Sequence, residues 1–441
     1  MLQAAGSLSL VWLGACGSMK QAPSSAPAPV PAPAPTPPLR RECRAAWVAT
    51  VANIDWPSRP GLSAPEMQAE MDRLLDCAST LKLNLLIVQV RDAADALYPS
   101  ALEPWAEVLS GAQGLAPSGE GYDPLARWIE GAHRRGIALH AWINPFRARH
   151  SSARSPAADS HVSVVHPEWV RAYGDQLWLD PSEPDAMAHT LAVCRDLLTR
   201  YALDGLHIDD YFYPYPAQDA SGQALEFPDQ RNWNAYQSAG GSLSRADWRR
   251  GHVNRFVAAL YALVRECRPC TLFGISPFGL PRPDLRPPGI KGFSQYDALY
   301  ADVELWLQQG WLDYLAPQLY WPRAQTPQAF ETLLRTWQAL NQEGRAIWPG
   351  LFSSQLKGPA PGWSADEIVA QIELVRAVDT STAAATGSGH VHFSMSALAR
   401  NWDGLADRLR AGPYAQSAAL PAMPWLGESP CSAAPAPETG A

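Results

Sequence analysis

Short apolar runs alternate with amphipathic stretches along most of this chain, a pattern that predicts strands separated by helices. The strand-like runs are Ala45 to Ala52, Leu83 to Val90, Ala138 to Pro145 and Leu203 to Asp209 in the first half. Thr271 to Pro277, Tyr314 to Tyr320, Ala346 to Leu351 and Gly389 to Ser394 follow in the second. Helical periodicity fills the gaps over Ala64 to Leu81, Pro124 to Arg135, Asp185 to Tyr201 and Arg245 to Cys267. It continues over Tyr296 to Gln309, Thr326 to Glu343 and Ala365 to Ala377, with Gly136 and Gly310 placed as helix stops. Strands that alternate with helices in this number predict an α/β chain closed as a (β/α)8 TIM barrel. Long excursions over Pro99 to Tyr122, Ala148 to Pro184 and Tyr213 to Ala246 follow some of the strands. Loops of that length are usually functional, and here they are expected to wall an open groove suited to a polymer.

The ends of the chain read differently. Leu8 to Ala15 is an apolar run too short to span a bilayer, and it ends in Leu13-Gly14-Ala15-Cys16. This resembles a bacterial lipoprotein signal, although the positive residues that usually open one are missing. The resemblance implies export and lipidation of Cys16, and Gly17 points to the periplasmic face of the outer membrane. Gln21 to Pro38 is almost wholly Ala, Pro and Ser, an extended spacer. The expected organisation is a signal over 1–16, a linker over 17–39, the barrel over 40–412 and a Pro/Ala-rich tail over 413–441.

Composition narrows the function. With 441 residues, 47% of them hydrophobic, one large core is within reach. A formal charge of -8 argues against a nucleic-acid partner, which needs clustered Lys and Arg. The 18 tryptophans suit sugar stacking or core filling equally. Cys267 and Cys270 have redox-motif spacing but precede a strand, so they read as a helix-end pair able to form a local disulfide. No zinc-type cysteine array exists, and neither metal nor cofactor is expected.

The candidate chemistry gathers at the strand ends. Leu203 to Pro214 breaks from apolar residues into Asp209-Asp210 followed by Tyr211-Phe212-Tyr213. Period-2 alternation puts His207 and Asp209 on one side of the strand and Leu206 and Ile208 on the other. Asp209 then points into the barrel mouth, where barrel enzymes keep their sites; the alternative is a carboxylate pair that caps a turn. Other strand ends supply Asp55 and Trp56, Arg91 and Asp92, Asn144, and Gln318 with Tyr320 and Trp321. Arg91, Asn144, Gln318 and Tyr320 are suited to sugar hydroxyls or an acetamide, while Trp56, Trp321 and Tyr211 are suited to ring stacking. Equally, Arg91 can pair with Asp92 or Asp55 and Trp56 can seal the barrel, while His207 is suited either to orient a catalytic Asp at the site or to be a hydrogen-bonded core histidine. His390 and His392 share a face and, with Asp209, would mimic a metal site.

Several of these segments resemble the Glycosyl hydrolase-like 10 family of bacterial cell-envelope proteins. The matching pieces are Arg44 to Pro57, Gln89 to Arg91 with Asp95 to Ser100, and Gly121 to Leu125. His140 to Pro145, Leu179 to Pro181, Asp204 to Pro214 and Gly310 to Trp321 complete them, spanning roughly residues 40 to 410. The resemblance implies a glycoside hydrolase barrel, similar to lipoproteins that act with the division machinery on peptidoglycan strands stripped of stem peptides. Glycoside hydrolysis usually needs two carboxyls, and the fifth strand, ending Gly274-Ile275-Ser276-Pro277, offers none. Either Asp55 or Asp92 partners Asp209, or Asp209 and Asp210 act together on an N-acetylated sugar whose acetamido oxygen attacks the anomeric carbon. A non-catalytic glycan-binding lipoprotein and a metal-dependent deacetylase are the rival expectations.

Overall fold

The computed structural model describes residues 40–380 and 388–426. Cys16, the leader, the linker and the end of the tail lie outside these residues. Strand β1 is Arg40–Val48, β2 Leu85–Arg91, β3 Ala138–Ile143 and β4 Gly205–Ile208. Then come β5, Leu272–Ile275; β6, Tyr314–Leu315; β7, Ala346–Ile347 resumed at Gly350–Leu351; and β8, Ser388–His392. All pair in parallel, each with its sequence neighbour, and β1 pairs with β8. The two halves of β7 close the ring, the first against β6 and the second against β8. Across the break, Trp348 donates its amide to Leu315 O at 2.8 Å and Val391 donates to Pro349 O at 3.1 Å. The fold is the expected (β/α)8 barrel.

Several strands are shorter than the apolar runs suggested, for a chemical reason. Pro145, Pro277 and Pro317 stand just past the ends of β3, β5 and β6, and Pro349 interrupts β7. Proline has no N–H to give a ladder, so pairing stops where the rim begins. The crossover helices are α1, Ala64–Thr80; α2, Pro124–Arg134; α3, Pro184–Arg200; and α4, Arg245–Cys267. After them come α5, Val303–Gln308; α6, Phe330–Leu340; α7, Ala365–Thr380; and α8, Leu405–Ala411. Ser63 and Glu66 form a reciprocal capping box that starts α1. Gly136 and Gly310 follow α2 and α5 with φ of 67° and 64°, the left-handed stop that glycine adopts without strain. The helix expected over Tyr296 to Gln309 is instead two pieces, Gln295–Ala298 and α5. Tyr300 separates them at φ 54°, its hydroxyl accepting from Arg249 Nη1 at 2.6 Å.

Two further differences concern segments read as unstructured. The excursion after β3 carries a small antiparallel sheet of Arg147–Arg149, Gln176–Leu179 and Val170–Tyr173. At the other end the chain stays packed past residue 412. Tyr414 is buried against Arg44, whose guanidinium lies 4.7 Å from the ring centroid, and Ala418–Ala419 pair with Arg40–Arg41. Cys267 is a free thiol whereas Cys270 is disulfide-bonded, so the two are not joined to each other.

Side-chain alternation along the strands divides the barrel into two layers. Leu206 and Ile208 face outward into the large cluster beneath the helices. Cys43, Ala45, Trp47, Ile87, Trp142, Tyr314, Trp348 and Val391 form a separate cluster inside the ring. That interior is aromatic and hydrogen-bonded. Trp47 Nε1 donates to His207 Nε2 at 3.2 Å, which fixes the His207 proton on Nδ1. That N–H then donates to the Tyr314 hydroxyl at 2.8 Å, which in turn donates to His140 Nδ1 at 2.9 Å. Gly274 makes room for this chain, because a Cβ there would stand 1.9 Å from the Tyr314 ring.

Candidate active site

The inward-facing residues at the strand ends floor a cavity of about 280 Å³ at the C-terminal mouth. Asp209 is contributed by β4, Gln89 by β2, Trp142 by β3, Ser276 by β5 and Gln318 by β6. Asp210, Tyr211 and Tyr215 arrive from the loop after β4, and Tyr320 and Phe393 close the far side. Among the described residues lining the cavity, Asp209 and Asp210 are the carboxylates; the fifth strand brings Ser276.

Each member of the pair is only 3% exposed. Asp209 sits between aromatic walls and accepts from Trp142 Nε1 at 3.0 Å. Burial and repulsion from Asp210 push its carboxyl up to about 8, against the pull of Arg147. Burial also raises Asp210, but only to about 6, because the Tyr215 hydroxyl donates to it and Gln318 adds a second hydrogen bond. Both carboxyls are thus raised by burial, and the Tyr215 and Gln318 donors favour placing the negative charge on Asp210. Arg147 stands over Tyr211, 4.6 Å from the ring centroid, and bonds Asp92, leaving it a fixed positive neighbour of the pair.

The other residues expected at the rim separate into two groups. Tyr211, Gln318 and Tyr320 line the cavity, with Tyr320 stacked on Phe352 at 4.7 Å. Arg91 does not reach it. The β2–β3 register shifts between Gln89 and Arg91, and Arg91 turns outward to a fully buried ion pair with Glu103 at 2.6 Å. Asn144 accepts the Arg147 amide at 3.1 Å, a turn-forming role away from the cavity. Asp55 accepts from Ala49 N, Ser394 Oγ and Ser396 N at 2.8, 2.7 and 3.0 Å, tying the end of β1 to the segment after β8. Trp56 is buried, donating to Met67 O at 3.1 Å and packing edge-on to Trp128. Trp321 packs on Phe278 beyond the cavity wall, and His207 lies below the cavity floor in the hydrogen-bonded interior. Asp92 serves Arg147 and lines a neighbouring cavity. His390 and His392 face the outer layer, both bonded to the Tyr414 hydroxyl, so they do not converge with Asp209.

Alternation alone would have found Gln89, Trp142 and Ser276, which stand at inward positions of their strands. Tyr215 comes from a loop and Arg147 from the small antiparallel sheet after β3, and no periodicity announces either.

Residues 42–357 match the family Glycosyl hydrolase-like 10. The chain is 38% identical over 395 residues to the Glycosyl hydrolase YngK of Bacillus subtilis, covering 88% of this chain and 74% of that protein. It is 31% identical over 373 residues to the Glycosyl hydrolase DigH of Escherichia coli, covering 79% and 82% respectively. Among solved structures, the PgaB glycoside hydrolase domain from Bordetella bronchiseptica superposes with a TM-score of 0.53 at 13% identity. That superposition covers 84% of this chain and 98% of the other. The catalytic domain of a β-amylase from Paenibacillus polymyxa gives 0.54 at 10% identity over the same shares. At such identities these two likenesses speak for the barrel.

Proposed function

As a member of the Glycosyl hydrolase-like 10 family this chain is a glycoside hydrolase, and we propose that it cleaves the N-acetylated, peptide-free strands of peptidoglycan. The observation that carries the reading is the buried Asp209–Asp210 pair, two unequal carboxyls in a cavity whose fifth strand brings no acid. With no further carboxylate among the described residues that line this cavity, the attacking oxygen comes from the substrate's own acetamide. Protonated Asp209 gives its proton to the leaving glycosidic oxygen as the acetamido carbonyl oxygen bonds to C1. Ionised Asp210 accepts the acetamide N–H and balances the positive ring that forms. Water then opens that ring at C1 while Asp209 takes the proton back. Tyr211 and Tyr320 offer ring faces to the sugar, and Gln318 a hydrogen bond. The lipoprotein-like leader adds a cell-envelope setting, with Cys16 as the lipid anchor at the periplasmic face of the outer membrane and division as the occasion.

The test is mass spectrometry of products from peptide-free glycan treated with wild type and Asp209→Asn. New reducing ends with wild type alone support the proposal, as does competitive inhibition by a thiazoline analogue of N-acetylglucosamine. A trapped glycosyl–aspartate would overturn the substrate-assisted route.

The unequal carboxyls also set a pH profile. Activity needs Asp210 ionised and Asp209 protonated, so kcat/KM rises through about pH 6 and falls through about pH 8. Tyr215→Phe removes a donor to the Asp210 anion, so the acid limb moves to higher pH while the alkaline limb stays near its place. A pH series on both proteins checks this; an unmoved acid limb would count against Asp210 as its source.

A further inference from the structure

Beside the catalytic cavity lies a second one of about 310 Å³, with Ala52 and His150 in the wall of both. Each lies near the lower end of the size range for small-molecule sites, so adjoining cavities of this size suit one sugar ring apiece. At the junction, His150 Nδ1 accepts the Ser152 backbone N–H at 3.1 Å, which leaves the proton on Nε2. Among the described residues that N–H has no partner, so a donor is free where the cavities meet.

The carboxylates of the second cavity have partners of their own. Asp92 is ion-paired with Arg147. Glu107 accepts from Arg154 N, Ser155 N and Ser155 Oγ at 2.7, 3.0 and 2.9 Å, so three donors already satisfy its carboxylate. Asp95, 5% exposed, accepts from Gln113 Nε2 at 2.9 Å, and burial with the Asp92 charge pushes it up to about 7. Arg149 and Arg154, by contrast, have no carboxylate partner among the described residues. Each guanidinium touches one backbone carbonyl, Ser155 O for Arg149 and Ser151 O for Arg154. Two unpaired forked donors beside a sugar site are what a ligand carboxylate would find.

We propose that this second cavity is a subsite for an acidic hexosamine linked to the sugar being cleaved, its carboxylate held by Arg149 and Arg154. The proposal rests on the glycan-hydrolase reading above and deepens it. In peptidoglycan the group concerned is the lactyl carboxylate of N-acetylmuramic acid, which is free on a stripped strand and tied up as an amide when a stem peptide is present.

Peptide-free strands with lactyl groups either free or methyl-esterified provide the test. Wild type is expected to show kcat/KM about tenfold or more in favour of the free acid. In Arg149→Gln/Arg154→Gln that ratio falls towards one, and Arg149→Lys/Arg154→Lys restores part of it because the charges remain. Calorimetric binding of the same two oligomers to Asp209→Asn protein, with and without the Gln substitutions, gives the ratio independently of turnover. A wild-type ratio near one, or a ratio that survives both Gln substitutions, overturns the subsite. If no strand is cut but the binding preference is present and lost in the double variant, the hydrolase reading fails and the subsite stands.

Discussion

Asp209→Asn is expected to lower kcat on peptide-free glycan by about a thousandfold, the scale on which general acids contribute. The amide keeps the shape and can still accept from Trp142, but it cannot give up a proton to the leaving oxygen. Glycan binding should change little, so the loss appears in kcat rather than in a binding constant. The same substitution should stabilise the protein. A carboxyl whose folded value is near 8 binds its proton more tightly folded than unfolded, so its contribution is full below its ordinary value of 3.8 and is lost as pH rises towards 8. At pH 7 a neutral amide avoids most of that penalty, on the order of 1 kcal/mol or more after allowance for relaxation. A melting temperature that rises as turnover collapses separates lost chemistry from lost folding. Turnover above a tenth of wild type would sink the assignment.

Glu103→Ala is expected to destabilise the fold by about 3–5 kcal/mol, the usual consequence of orphaning one half of a buried ion pair. Arg91 is 0% exposed and would keep its charge with the Asn144 carbonyl as its remaining partner. Burial alone would raise Glu103, yet the Arg91 charge and the His189 hydrogen bond hold it near 2. Its stabilisation is therefore complete above its ordinary value of 4.5 and fades as pH falls towards 2. Urea unfolding at pH 7 and pH 3 should show the gap between wild type and variant narrowing on the acid side. An unchanged gap, or one below about 1 kcal/mol at pH 7, would deny the pair its structural role.

That pair also marks where sequence reading reached its limit. Asp209 was legible because alternation is strict along β4, and His207, two residues earlier, faces the same interior. Arg91 stands at an equivalent strand end, but the irregularity after Gln89 reverses its side, and a bulge of one residue leaves no trace in the hydrophobic pattern. Asp55 and Trp56 belong to a strand end too, yet the chain turns there into a tight 3-10 segment, Val51–Asn53, that carries both away from the mouth. The second cavity was hidden for another reason. Arg149 and Arg154 lie in an excursion that reads as loop, and only its fold onto the small antiparallel sheet sets them beside the catalytic end.

Because every barrel strand runs the same way, Arg40 enters at the pole opposite the Asp209–Asp210 cavity, and Ala418–Ala419 returns to that same pole. A bead, a surface or a fused partner attached through residue 40 would thus leave the working face unobstructed.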